Sequence, residues 1–332
     1  MREHQQDGRP GPPPGGQPGR PSRRVLLAGG LGVALLAAAG GGYELIQDGA
    51  LPGKYTLARL DGACGSPPPA PRGPRPVRRE VSFYSAYRRR QVTMVTLSPA
   101  GAPAAAGLGV VVVLHGFGGD ATGMANTVSA AMTAARIRTA AAITVDGGNT
   151  YWHDRADGDD PVGMILHEVL PRAAAAGLAT ARIAVAGESM GGYGALLLAE
   201  QLAPGVSKPT AGSPVRIAAV AAVSPAIFAT YSDAIAANRG SFDSAADFAR
   251  NDVRARIAAL RLVPAWVSAG DEDPFRPQTE LFRDKLATLT RKQPAGAILP
   301  GCHDGIFFDR NMPAALNFAV TNLANHPSGT GT

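Results

Sequence analysis

The sequence predicts an α/β protein: a mostly parallel, doubly wound sheet with an antiparallel hairpin on its N-terminal side. Three observations carry this. Short unbroken apolar runs recur at residues 110–114, 140–145, 183–186, 217–223 and 265–268, as expected of strands buried on both faces. Stretches of helical character separate them, around 122–135, 161–176, 193–203, 245–260 and 276–290, so that strand and helix alternate. Ahead of them, 81–87 and 91–97 alternate apolar and polar residues around Arg88-Arg89-Arg90, the pattern of an antiparallel hairpin.

In chain order, residues 1–24 are polar, rich in Pro, Gly and Gln, and read as a disordered basic tail. Residues 25–46 open with an uncharged run from Val25 to Tyr43, directly after Ser22-Arg23-Arg24. A twin arginine before an apolar stretch is the address of the twin-arginine export route. Ala37-Ala38-Ala39 offers a cleavage site, while the run is also close to the ~20 residues needed to span a bilayer. The segment is therefore expected to be a signal or a membrane anchor, and the protein to be exported, either secreted or anchored with its folded part outside the cytoplasm. Residues 47–79 form a proline-rich connector, and residues 80–326 a single folded domain. Hydrophobic residues make up 45 % of the chain and charged ones 17 %, ample for a core of that size.

The net charge of +6 is unevenly placed: residues 1–24 carry +3, 72–90 carry +6, and 91–332 sum to −2. The basic character belongs to the front of the chain. No basic helix with interleaved aromatics occurs in the folded part, which argues against a nucleic-acid partner and for membrane or cell-envelope association. The two cysteines, Cys64 and Cys302, are most simply a disulfide in an oxidising compartment, the alternative being two buried thiols.

The chemistry concentrates at strand ends, where ligands of such sheets bind. Gly187-Glu188-Ser189-Met190-Gly191-Gly192 reads G-x-S-x-G between an apolar run and a helix-forming run. That is the strand–turn–helix setting in which a serine is pushed out of the sheet as a nucleophile. His115-Gly116-Phe117-Gly118-Gly119-Asp120 follows the run at 110–114. A glycine-rich loop there, with the N–H after the nucleophile, is the usual oxyanion hole of acyl chemistry. Phe117 and Met190 are its expected donors, with Gly118 next.

A serine needs a base oriented by a third group. Of six histidines, His4 and His326 lie in the tails, His115 in the glycine loop and His167 in a predicted helix, while His153 comes too early in the chain. His303, after the apolar run 297–299, is the base by elimination and by position. The acid is expected after the strand at 265–269, in Gly270-Asp271-Glu272-Asp273-Pro274; Asp273 is preferred to Asp271 because it lies deeper in the loop, before a proline. Residues 146–153 follow a strand and are expected to line the substrate pocket. Trp152 and His153 either contact substrate there or pack beneath the loop. Glu188 either tunes the site or faces solvent. No cluster has metal-ligand spacing, so no metal or cofactor is expected.

Taken together, Leu-His-Gly-Phe-Gly-Gly-Asp, Gly-Glu-Ser-Met-Gly-Gly-Tyr-Gly, Gly-Asp-Glu-Asp-Pro-Phe and Gly-Cys-His-Asp-Gly resemble the α/β-hydrolase "Putative esterase" family, which includes esterase D, feruloyl esterases and secreted mycolyltransferases. The resemblance covers roughly residues 80–325. It implies the α/β-hydrolase fold and a triad of Ser189, His303 and Asp273. The chain departs from many members in having Gly305-Ile306-Phe307-Phe308, without tryptophan, after the histidine. With 28 Arg and 4 Lys, it resembles exported esterases of high-GC Gram-positive bacteria. The expected activity is that of an exported serine carboxylic-ester hydrolase on a small-molecule or lipid ester. The alternatives are an acyltransferase to an envelope sugar and a non-catalytic envelope-binding protein on the same scaffold. The latter predicts a decayed triad, and all three residues are present.

Overall fold

The computed structural model describes residues 62–102, 107–204 and 215–324. The expectations for the tail, the export segment and the connector up to residue 61 lie outside the described residues. Among the described residues no helix is long and apolar enough to cross a membrane.

Eight strands form one sheet: β1 (Val77–Ser85), β2 (Arg90–Ser98), β3 (Gly109–Leu114), β4 (Ala140–Val145), β5 (Ala179–Glu188), β6 (Arg216–Val223), β7 (Ala265–Gly270) and β8 (Ile298–Leu299), in the order β1-β2-β4-β3-β5-β6-β7-β8. The pairs β1·β2 and β2·β4 are antiparallel and the rest parallel. The predicted hairpin is present, and β1 starts at Val77, inside the stretch assigned to the connector.

Alternation along the strands divides the core. Val110, Val112 and Leu114 of β3 pack into one cluster, with Ile183, Val185, Val220 and Val267. Val111 and Val113 face the other, with Ala184, Ala186, Ala219 and Ala221. The alanines on this second face let a helix lie close to the sheet. The helix Gly305–Ala324 does so, burying Phe307, Met312, Ala315, Leu316 and Ala319.

The helices in chain order are α1 (Ala121–Ala134), α2 (Pro161–Met164), a π turn (Ile165–Val169), α3 (Leu170–Ala175), α4 (Met190–Gln201), α5 (Tyr231–Ala237), α6 (Ala245–Asn251), α7 (Val253–Arg256), a 3-10 turn (Ile257–Leu262), α8 (Arg276–Thr290) and α9 (Gly305–Ala324). Two single predicted helices are divided. In 161–176, Pro171 has no N–H to continue the α ladder, and the turn before it widens to π. In 245–260, Asp252 leaves helical geometry at ψ 106° and caps the next turn by accepting from the Arg254 N–H at 2.9 Å. Helices α5 and α9 were not anticipated; α9 contains Pro313, which interrupts its sequence pattern.

The sheet order locates the crevice. Strand β3 has β4 on one side and β5 on the other, so the winding reverses between β3 and β5. The carboxyl ends of these two strands flank the switch point at which α/β sheets bind ligands.

Cys64 and Cys302 are joined by a disulfide. The Arg310 guanidinium also donates to the Ser66 carbonyl at 3.0 Å and to the Pro300 carbonyl at 3.3 Å, so the arm at residues 62–76 is held to α9 as well. The bridge spans 238 residues of sequence, and loop-closure entropy alone would make such a bridge worth about 5 kcal/mol. The double variant Cys64→Ser/Cys302→Ser should melt on the order of 10 °C lower in calorimetry. An unchanged Tm would show that the arm contributes nothing to stability.

Candidate active site

Ser189 sits between β5 and α4 at φ 53°, ψ −121°, a conformation costly for a residue with a Cβ, at about 1–3 kcal/mol. The surrounding backbone enforces it. The Ser189 N–H donates to the Val223 carbonyl at 3.0 Å, and the Ser189 carbonyl accepts from Ala226 and Tyr193, both at 3.0 Å. The flanking glycines permit the close approach: a Cβ on Gly187 would overlap the Gly191 carbonyl, and one on Gly191 the Leu114 carbonyl oxygen. The tight turn inferred from small residues is therefore a matter of backbone against backbone.

Ser189 Oγ lies 2.8 Å from His303 Nε2, and His303 Nδ1 lies 3.0 Å from Asp273 Oδ2. Asp273 is buried, and its second oxygen accepts from the Phe275 N–H at 2.7 Å. Asp271 does not reach the histidine; its carboxylate accepts from the Gly301 N–H at 2.9 Å, holding the loop that carries His303. Phe275 and Phe308 meet the imidazole edge-on at 5.0 and 5.2 Å.

The glycine loop after β3 lines the same cleft as Ser189 and His303, with Gly116 next to the Ser189 side chain. The Gly118 N–H is taken up by Asn149 Oδ1 at 2.7 Å. Met190 opens α4, so its N–H belongs to the helix end that has no intrahelical partner. His115 is buried and neutral: its Nε2 accepts from the Gly147 N–H at 2.9 Å, which leaves Nδ1 to donate to the Gly116 carbonyl at 2.8 Å. Burial lowers its pKa, consistent with that tautomer.

Trp152 and His153 are buried, and neither lines the cleft. Of the two alternatives for them, the structure shows the packing one. The Trp152 ring lies against Gly147 and Gly194, where any Cβ would overlap it, and its Nε1 donates to the His115 carbonyl at 3.2 Å. His153 stacks on Phe242 at 4.9 Å, and its ring nitrogens lie 2.9 and 3.0 Å from the Asp154 and Ser241 carbonyls. Of that stretch it is Tyr151 that reaches the cleft, backed by Tyr193 and Phe228. Sequence reasoning placed Asn149 and Asp146 in the pocket stretch without assigning either a role. The Asp146 carboxylate ties β2 to the start of α1 through the Thr93 and Ala121 N–H groups, at 2.7 and 2.8 Å.

The cleft has a volume of about 420 Å³ and opens onto Ser189 and His303. Phe117, Tyr151, Phe275 and Phe308 contribute aromatic surface, and Thr127 and Glu188 contribute polar groups. Glu188 is half-buried in the cleft wall, with Oε2 shielded from solvent. Its carboxyl is pushed up to about 8, chiefly by burial and secondarily by the charge of Asp309. Among the described residues no cluster of His, Cys, Asp or Glu has the geometry to hold a metal.

A hydrogen-bonded Ser–His–Asp line at the switch point of a sheet in this strand order defines an α/β-hydrolase. The chain belongs to the family described as "Putative esterase", whose model matches residues 85–293; His303 and the disulfide lie beyond that match or before it. The fold is similar to that of an S-formylglutathione hydrolase from Agrobacterium tumefaciens (15 % identity, TM-score 0.60, covering 74 % of this chain and 95 % of that one). It is also similar to MPT51 of Mycobacterium tuberculosis (16 %, 0.59, 74 % and 98 %) and to a ferulic acid esterase (18 %, 0.58, 75 % and 98 %). A comparison with curated proteins finds no match.

Glu188 has a consequence for stability. Folding raises its pKa from 4.5 to about 8, so the folded chain keeps a proton that the unfolded chain releases. Stability is therefore lost as pH rises between those values. Glu188→Gln removes that loss. The Tm of the variant relative to wild type should rise from pH 4.5 to pH 8.5; a gap independent of pH would mean that Glu188 titrates normally.

Proposed function

We propose that the protein is an exported serine carboxylic-ester hydrolase that works through an acyl-enzyme on Ser189. The observation that carries the reading is the unbroken line from Ser189 Oγ through His303 to Asp273, at 2.8 and 3.0 Å. His303 takes the serine proton as Oγ attacks the ester carbonyl. Asp273 orients the imidazole and balances its charge. The N–H groups of Phe117 and Met190 receive the oxyanion; the engagement of Gly118 with Asn149 favours Phe117 as the donor from the glycine loop. His303 then protonates the leaving alcohol and activates water to release the acid. Family membership supports ester hydrolysis or acyl transfer, and the aromatic walls of the cleft suit an organic ester.

The test is a series of p-nitrophenyl esters on wild type and Ser189→Ala. Loss of at least about 10³-fold in kcat/KM in the variant is expected. Full activity in the variant, or none in wild type at any chain length, refutes the assignment.

Export is proposed from Arg23-Arg24 before the uncharged run 25–43, and the disulfide supports an oxidising compartment. Arg23→Lys/Arg24→Lys should leave the protein inside the cell, by fractionation and immunoblot. Unchanged export would remove the twin-arginine route.

A further inference from the structure

Two consecutive residues at the cleft, Tyr151 and Trp152, lie in the left-handed region at φ 57° and 62°. Neither is glycine, and such strain persists only where the surroundings hold it, most often at functional sites. Here it turns Trp152 inward and leaves Tyr151 in the wall of the cleft that holds Ser189. The Tyr151 ring is boxed in by Tyr193, Phe228 and Phe242, with centroids at 5.6, 5.4 and 5.7 Å. The residue is only 3 % exposed. Its hydroxyl has no hydrogen-bond partner among the described residues, yet it is not one of the polar atoms closed off from solvent. The little surface that Tyr151 keeps therefore includes its oxygen. A tyrosine hydroxyl in a buried setting normally finds a partner, and other polar side chains of this wall have theirs. Asn238 accepts from the Gly240 N–H at 3.0 Å and donates to the Asn149 carbonyl at 3.1 Å. His115 is held between Gly116 and Gly147, and His303 between Ser189 and Asp273.

We infer that the Tyr151 hydroxyl is a specificity-determining group that donates a hydrogen bond to a second oxygen of the substrate, so that the preferred esters carry an ether, hydroxyl or further carbonyl oxygen besides the ester that reacts. The inference rests on the proposed hydrolysis at Ser189 and narrows its substrate class. Burial pushes the phenol well above its ordinary pKa, so it stays neutral and keeps a proton to donate. Among the described residues no Lys or Arg lines the cleft, so nothing there would balance a carboxylate on the substrate. A hydrocarbon chain laid against Tyr151 would strip water from the hydroxyl and offer nothing in return. A site that can hydrogen-bond a substrate oxygen discriminates against the analogue lacking it for that reason. The rings of Phe117, Phe275 and Phe308 supply apolar surface for the remainder of the ester.

The experiment compares wild type with Tyr151→Phe, in the full-length protein, on esters paired so that an ether oxygen replaces one methylene. On the acid side the pair is p-nitrophenyl β-methoxypropanoate and pentanoate; on the alcohol side it is methoxyethyl and butyl butanoate. Taking the ratio of variant to wild type for each ester cancels differences in intrinsic reactivity. In at least one pair the variant should lose about tenfold in kcat/KM on the ether ester, the value of one hydrogen bond, and less than about twofold on its hydrocarbon partner. The loss should fall on KM, as expected of binding shared by ground and transition states. Because the hydroxyl bonds nothing in the protein, the Tm should not fall. Equal losses on both members of each pair, with a lowered Tm, would mean a structural role and overturn the inference. No loss on any ester overturns it as well. Either result, with turnover still dependent on Ser189, leaves the hydrolase reading standing. Failure of wild type on all four esters, together with the p-nitrophenyl series, removes both.

Discussion

The backbone of Ser189 is the constraint on which the site depends. A non-glycine residue at φ 53° persists only where its surroundings over-determine it, and three hydrogen bonds from β6, the Ala226 loop and the first turn of α4 do so. The same close packing brings Gly191 onto the Leu114 carbonyl at the end of β3. The turn is thus locked to the strands on either side of β5, β3 and β6. Any movement of β3 or β6 relative to β5 would release the strain and lose the serine's aim.

The histidine is held by different means. Its loop has no regular structure, yet every backbone neighbour is tied. Gly301 donates to Asp271 at 2.9 Å, Cys302 is bonded covalently to the arm, and the Asp304 side chain caps α9 through the Phe307 N–H at 3.1 Å. The loop positions the ring and Asp273 sets its rotation. Separating these tasks explains why two aspartates two residues apart are both needed: Asp271 fixes backbone and Asp273 fixes the imidazole.

The strands were legible because five of them are buried on both faces, which leaves unbroken apolar runs that no loop would carry. The chemistry-bearing residues were legible for a related reason: they sit where such runs end. What sequence could not supply was direction within a loop. The stretch 146–153 was expected to line the pocket; Trp152 turns inward onto Gly147 and Gly194, and Tyr151 turns to the cleft. Those glycines lie 47 residues apart in sequence, so the slot they make for the indole exists only in the folded chain. The same holds for Glu188. Its identity was plain, but the charge of Asp309 that acts on it comes from α9, more than a hundred residues away and itself obscured by Pro313.

Charge is sparse where the proposed reaction creates it. His115 is held neutral under the glycine loop, and Glu188 is held protonated near neutral pH by burial and by Asp309. An ionised Glu188 beside Ser189 would oppose the oxyanion that forms as the ester is attacked, in a low-dielectric cleft where such repulsion is strong. Keeping it neutral leaves Asp273 as the carboxylate in contact with His303, on the side away from the serine. The imidazolium then has its counter-charge at one nitrogen and the new negative charge near the other. The sheet's winding brings these groups together, but burial decides which of them carry charge when the serine reacts.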